Sequence, residues 1–420
     1  MRINQIIDYF MIVALIFISG NIAFRPKEFL FIAFIISVIL FFYRKSKFDI
    51  SFAYFLVGLL IIMILQGFKF NFFPVVTYIG VFIRILITYL LLKSVDDFTK
   101  KFINIMYYFS IISLIFLFFI FLIPGVEDFV LNKLVIANVQ ERYSILGLYT
   151  IVYGFEYKNA GPFWEMGAFG GFLVLTLILS YLRDQILLNK INIVLIITIL
   201  STQSSTAYIS LAAFLSFIFF SKTKDVLLKI LVVSALVSVS YFAYMNLDFL
   251  GKKIETQLED TKVILDSPSL EGASTDRFIT IVKDWRDFQG HEIIGRGTHA
   301  STRYTTMYDV KEVTDTRTVG STDIIVRYGL PFFLWMLFMM YKSFSSYSKH
   351  FSKNGEYMGI SIVFIILLLL TSETYFLNPF FWIVIMLQYV YISDTKENIN
   401  DSIVIDSVKN VGNNRFYNLN

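Results

Sequence analysis

Long apolar runs follow one another along most of this chain, and they decide what it can fold into. A bilayer core of about 30 Å is crossed by about 20 apolar residues in a helix. Roughly twelve such runs can be read along the sequence. They cover 5–24, 28–43, 51–67, 73–93, 101–123, 162–182, 190–203, 206–221, 227–246, 323–342, 355–371 and 374–392. In lipid every backbone polar group must be satisfied within the segment, which leaves helices or closed barrels. Runs of this length predict helices. The fold class expected is therefore an all-α integral membrane protein.

Composition agrees. Hydrophobic residues make up 56% of the 420 and charged residues only 16%, against about one quarter charged in soluble domains. Cysteine is absent, which excludes disulfides, cysteine-ligated metal sites and a thiol nucleophile. The first apolar run lacks a small-residue cleavage site and reads as a retained span.

Lysine and arginine in short loops set orientation. The connectors at 43–47, 93–101, 183–190, 221–224 and 341–353 are basic. With twelve spans and both termini cytoplasmic, all of them fall inside. That places 124–161 and 248–322 outside, with Arg25 and Lys27 as exceptions to the charge rule. The expected organisation is spans one to nine over 1–247 with a smaller external loop near 124–161. A large extracytoplasmic loop over 248–322 follows, then the last three spans over 323–392 and a disordered cytoplasmic tail over 393–420.

The large loop carries Arg277, Arg286, Arg296, Arg303 and Arg317 with His291 and His299. An arginine-rich loop beside a bilayer suits an anionic substrate, because guanidinium is permanently charged and binds phosphate bidentately. Ser274-Thr275-Asp276 can cap a helix whose one face shows Phe278, Ile281, Val282, Trp285 and Phe288. That face is expected to rest on the membrane domain or at the interface. Arg277 in its first turn opposes the helix dipole and asks for an anion. In Gly295-Arg296-Gly297 the glycines would let backbone approach a ligand closely, although a turn with a solvated arginine reads equally well.

Glu165 stands at the mouth of a span. An acid there needs a partner or water: it either pairs with an external arginine or orients and deprotonates a substrate hydroxyl. Arg142, Arg303 and Arg317 are further candidates for substrate contact, with His291. Arg84, in mid-span, is a candidate for the path of a lipid phosphate. The 203–208 segment either lines a groove or caps a short helical hairpin through helix–helix hydrogen bonds, and the second reading is preferred. Glu373, between the last two spans, reads as structural, and His350 as solvated.

These features resemble the O-antigen polymerase (Wzy) family, within the O-antigen ligase and polymerase superfamily. The resemblance covers most of the chain: about twelve spans, a short polar-linked pair in mid-chain and a dominant external loop before the last three spans. Gly161-Pro162-Phe163-Trp164-Glu165 resembles the family's Gly-x-Phe-x-Glu segment. Thr202-Gln203-Ser204-Ser205-Thr206 resembles its Thr/Ser-rich junction, without the arginine common there. Asp276-Arg277 with Trp285, Gly295-Arg296-Gly297, and Ser321-Thr322-Asp323 with Tyr328-Gly329-Leu330-Pro331 resemble its loop and loop exit. The ligase branch tends to carry a histidine where this chain has Gly320-Ser321-Thr322-Asp323, which favours a polymerase.

What the resemblance implies is a glycosyltransferase in the bacterial cytoplasmic (inner) membrane. It would join undecaprenyl-diphosphate-linked repeats into O-antigen, capsule or exopolysaccharide on the outer face, with no metal and no cofactor. Catalytic residues are then expected at Glu165, Arg277, Arg296 and His299. Expected partners are the lipid-linked glycan, membrane lipid, and a chain-length regulator and flippase of the same pathway; nucleic acid is not among them. The alternatives are an O-antigen ligase and a lipid-linked oligosaccharide flippase or transporter. Against transport stand the lack of an internal repeat and the gathering of polar residues outside the midplane.

Overall fold

The computed structural model describes residues 3–229, 277–303, 317–351 and 355–391, with four isolated positions at 234, 255, 259 and 262. The expected ninth span, the first half of the large loop and the tail lie outside the described residues. What is described is mostly helical, and six helices are long and apolar enough to cross a membrane. The chain is a multi-pass membrane protein.

The helices are α1 (Ile3–Gly20), α2 (Lys27–Tyr43), α3 (Ile50–Phe70), α4 (Val75–Ser94), α5 (Phe98–Leu122), α6 (Val126–Lys133), α7 (Met166–Asp184), α8 (Lys190–Ser201) and α9 (Ser205–Lys222). After these come α10 (Arg277–Phe288), α11 (Gly320–Tyr328), α12 (Leu330–Phe351), α13 (Gly355–Leu370) and α14 (Phe380–Tyr391). Helix α7 is the hub. Its residues from Ala168 to Leu182 are buried without a break, and it packs on α5, α8, α9, α12 and α13. A helix apolar on every side belongs inside a bundle, and the sequence MGAFGGFLVLTLILSYL meets that description.

Ion pairs mark one end of the bundle. The buried carboxylate of Asp8 is held by Arg44 at 2.8 Å and Lys101 at 2.9 Å. Lys93 pairs with Asp49, and Arg183 grips Asp97 through two nitrogens. These are basic connectors of the sequence, partly neutralised by Asp8 of α1 and by acids of neighbouring connectors. At the opposite end Trp164 N–H donates to Gly20 O, Asn159 N–H to Ser201 O, and Lys69 Nζ to Gly290 O. The described parts of both long loops therefore share that end.

The smaller loop is not featureless. After α6 it forms a three-stranded antiparallel sheet in the order β1 (Val135–Val139), β2 (Arg142–Ile145) and β3 (Tyr149–Val152). This departs from an all-α reading. Alternation over four residues is too short a signal to stand out beside apolar runs five times longer. The sheet is tied down by buried Asn21, whose Nδ2 donates to Gly147 O and Pro162 O, each at 2.8 Å.

Two expected spans are broken. The 323–342 run divides at Gly329 (φ +83) into α11 and α12. Pro331 cannot donate a helical hydrogen bond, so the helix restarts there. The 374–392 run opens with a 3-10 turn, Tyr375–Leu377, before α14 begins. Of the two placements expected for the apolar stripe of α10, packing on the membrane domain is not what the structure shows. Ile279, Thr280, Lys283, Asp284 and Asp287 are buried, whereas Ile281 and Trp285 are 39% and 61% exposed. The polar face is inside because it carries the ion-pair partners of the following segment.

Candidate active site

Three chain segments meet at the loop-bearing end. Glu165 caps the start of α7 in extended backbone, with no side-chain bond to its own helix. Its carboxylate is free to leave the helix, and it pairs with Arg142 of β2 at 3.4 Å. Arg277, at the start of the described part of α10, donates to Thr206 Oγ1 at 3.2 Å. The three line a cavity of about 230 Å³ together with Lys158, Gln203, Ser204 and Ser205.

Helix ends add to the local field. Met166 and Gly167 are the first residues of α7, and Ser204 and Ser205 are the cap and first residue of α9; all four line the cavity. Two helix N-termini thus face one space that already holds three cations. The N-terminal N–H groups and the helix dipole both favour an anion there. Arg25 extends the same field, lying 5.3 Å from the Trp164 ring and within electrostatic reach of Arg142, Glu165 and Glu373.

Glu373 was missed as a site residue by the sequence reading, and the structure puts it behind Glu165. A Cβ added to Gly167 would lie 3.3 Å from Glu165 Oε1 and 3.4 Å from Glu373 Oε1. The two carboxyls are hydrogen-bonded to each other. Burial, and then the neighbouring Glu165, push Glu373 well above the ordinary glutamate range, against Arg277 and Arg142. Two neighbouring carboxyls resist ionising together, which is the second cause of the upward shift at Glu373. Its signal in the sequence was an acid in the tight turn between two apolar runs, as Glu165 was an acid at the mouth of one.

The other expected residues lie apart from this cavity. Arg303 is fully buried, with Nη1 2.5 Å from Asp323 and Nη2 3.2 Å from Asp284. Arg317 joins Asp284 at 2.8 Å and Asp287 at 2.6 Å. Arg296 donates to Asp287 O at 2.8 Å and Thr302 O at 3.3 Å. These three arginines bind protein groups and fasten the described segments 277–303 and 317–328 into one block.

The glycines of Gly295-Arg296-Gly297 serve the same block. Arg296 N–H and Gly297 N–H donate to Val326 O and Arg327 O. Gly295 has φ +67, and a Cβ on it would sit 2.7 Å from Arg327 C and O and from Gly329 N. The close approach is to backbone of the α11–α12 break. Gln66 of α3 closes it from below, donating to Ile294 O and Arg327 O.

His299 accepts from Ser301 N–H through Nδ1 and lies against Phe72. His291 packs on Phe70; burial, then Arg296 and Lys69, pull its pKa down to about 4, so its ring is neutral at neutral pH. Arg84 is half-buried in α4, with Tyr328 and Arg327 as electrostatic neighbours. None of these three lines the cavity around Glu165. Among the described residues no group of three or more histidine or acidic side chains could hold a metal ion.

Compared with known proteins, the chain matches no family model and no curated protein.

Proposed function

We propose that this protein is a membrane glycosyltransferase that polymerises polyprenyl-diphosphate-linked oligosaccharide repeats on the outer face of the cytoplasmic membrane. The observation that carries the reading is the cavity where Glu165 meets Arg142, Arg277 and Lys158 under two helix N-termini. It combines one carboxylate able to take a proton with a field suited to a phosphate-bearing leaving group.

In the proposed reaction Glu165 takes the proton of an acceptor sugar hydroxyl at the non-reducing end of a new repeat. The hydroxyl oxygen bonds to the anomeric carbon of the growing chain. The bond from that carbon to the diphosphate breaks, and the electron pair leaves on the polyprenyl diphosphate. Negative charge gathers on phosphate oxygens as this happens. Arg142 and Arg277 answer it with preorganised charged donors, the kind of interaction that lowers a barrier most. No step in this scheme calls for a metal or a cofactor. Arg303, Arg317 and Arg296 support the site by holding α10, and Arg277 with it, in place.

The test is the surface glycan of a strain lacking the gene, with and without the complementing copy. A ladder reduced to a single repeat on its normal final acceptor supports the polymerase. Full-length polymer stranded on the lipid carrier would make the protein a ligase and overturn the proposal.

A further inference from the structure

An apolar groove of about 300 Å³ runs between α1 and α2, in the half of the bundle nearest the Glu165 cavity. Phe10, Ala14 and Phe17 line it from α1, Phe29 and Ile32 from α2, and Phe24 from the connector between them. Arg25 follows Phe24 directly, and both Arg25 and Lys27 are exposed. Like Lys69, these two cations stand at the loop-bearing end, against the charge rule that places basic residues on the other side. Glu373 and Glu165 attract Arg25, and an anionic headgroup at the end of a hydrocarbon-lined groove would meet its exposed side. The mouth also leads to the active site: Trp164 N–H bonds Gly20 O, Arg25 lies over Trp164, and Glu165 is the next residue.

We propose that the α1–α2 groove holds the first isoprene units of the donor's polyprenyl chain, with Arg25 contacting the diphosphate as it enters the cavity beside Arg142. The inference rests on the polymerase reading. A donor whose diphosphate sits near Arg142 must send its chain into the bilayer from that point, and this groove opens there. An ordinary phospholipid in the groove would place its headgroup across the cavity mouth and compete with the donor.

The experiment uses the full-length protein in nanodiscs with a sugar-free polyprenyl diphosphate carrying a photoreactive group in its first isoprene units. Peptide mapping is expected to place the crosslink within 10–36. Unlabelled polyprenyl diphosphate should compete at least tenfold better than phosphatidylglycerol. Ala14→Trp, which fills the groove, should lower the crosslink at least fivefold and raise the KM for lipid-linked donor while kcat changes less than twofold. Ala14→Leu, a smaller change, should give an intermediate effect and guards against misfolding of the tryptophan variant. A crosslink elsewhere, equal competition by phosphatidylglycerol, or full labelling of both Ala14 variants overturns the groove. Binding of the bare carrier needs no glycosyl transfer, so the groove can fail while polymerisation stands, and polymerisation can fail while the groove stands.

Discussion

Arginines that look alike in the sequence separate by what surrounds them. Arg277 and Arg142 line a cavity, whereas Arg303 is fully buried between Asp284 and Asp323. Arg277→Ala should fold and lose about 10²–10³ in polymerisation rate, the scale of one preorganised donor; unaltered long-chain polymer would remove it from the site. Arg303→Ala leaves two buried carboxylates short of a partner and should cost about 3–5 kcal/mol. Its readout is a lowered melting temperature in detergent and a poor yield. Melting unchanged from wild type would show that the ion-pair block is dispensable.

Glu373 carries the pH dependence at this scale. Its pKa is raised above the ordinary 4.5 by burial and by Glu165. The folded state therefore holds the proton more tightly than the unfolded chain does. The stabilisation is complete below 4.5 and is lost as pH rises through the raised value. Glu373→Gln keeps a neutral donor beside Glu165, so it should flatten the fall in melting temperature as pH rises above 4.5. Glu165→Gln should instead abolish transfer. An unchanged melting profile in Glu373→Gln would contradict the upward shift at Glu373.

Among elements, the loop segment around Gly295 and the α11–α12 break depend on each other. Arg296 and Gly297 donate to carbonyls at the end of α11, Leu330 N–H donates back to Glu292 O, and Gln66 bridges both strands of the contact. Gly295→Ala places a Cβ 2.7 Å from backbone atoms at a positive φ. Backbone cannot swing away as a side chain can, so a loss of several kcal/mol is expected, on the scale of strained or overpacked sites. Limited proteolysis between α10 and α11 reads it; wild-type resistance in the variant would refute the packing. The sequence showed that these glycines permit close approach, but not to what. It also predicted α10 and its apolar stripe and placed that stripe on the membrane domain or at the interface. The helix keeps the stripe outward because Asp284 and Asp287 must reach Arg303 and Arg317.

For the whole molecule, charge distribution divides the two ends. Basic connectors paired with Asp8, Asp49 and Asp97 gather at one, and the described loop segments with the cavity gather at the other. The chain has no cysteine, so single cysteines report sidedness cleanly. Tyr157→Cys and Trp285→Cys lie at exposed positions of the loop end, and Lys45→Cys at an exposed position of the basic end. A membrane-impermeant maleimide added to intact spheroplasts should label the first two and spare the third. The reverse pattern would invert the topology and remove the cavity from the outer face.

Hydrophobic run length by itself determined the membrane class and where most of the described helices lie, because it is a local sum that needs no knowledge of neighbours. The same local signals singled out Glu165, Arg142 and Arg277 as residue types worth watching. Only the tertiary structure decided that these three meet, that Glu373 stands behind Glu165, and that Arg296, Arg303 and Arg317 are spent on carboxylates and carbonyls. Whether an arginine faces a cavity or an aspartate depends on contacts between segments far apart in the chain. Gln66 reaching residues 294 and 327 is one such contact, and no periodicity within either segment encodes it.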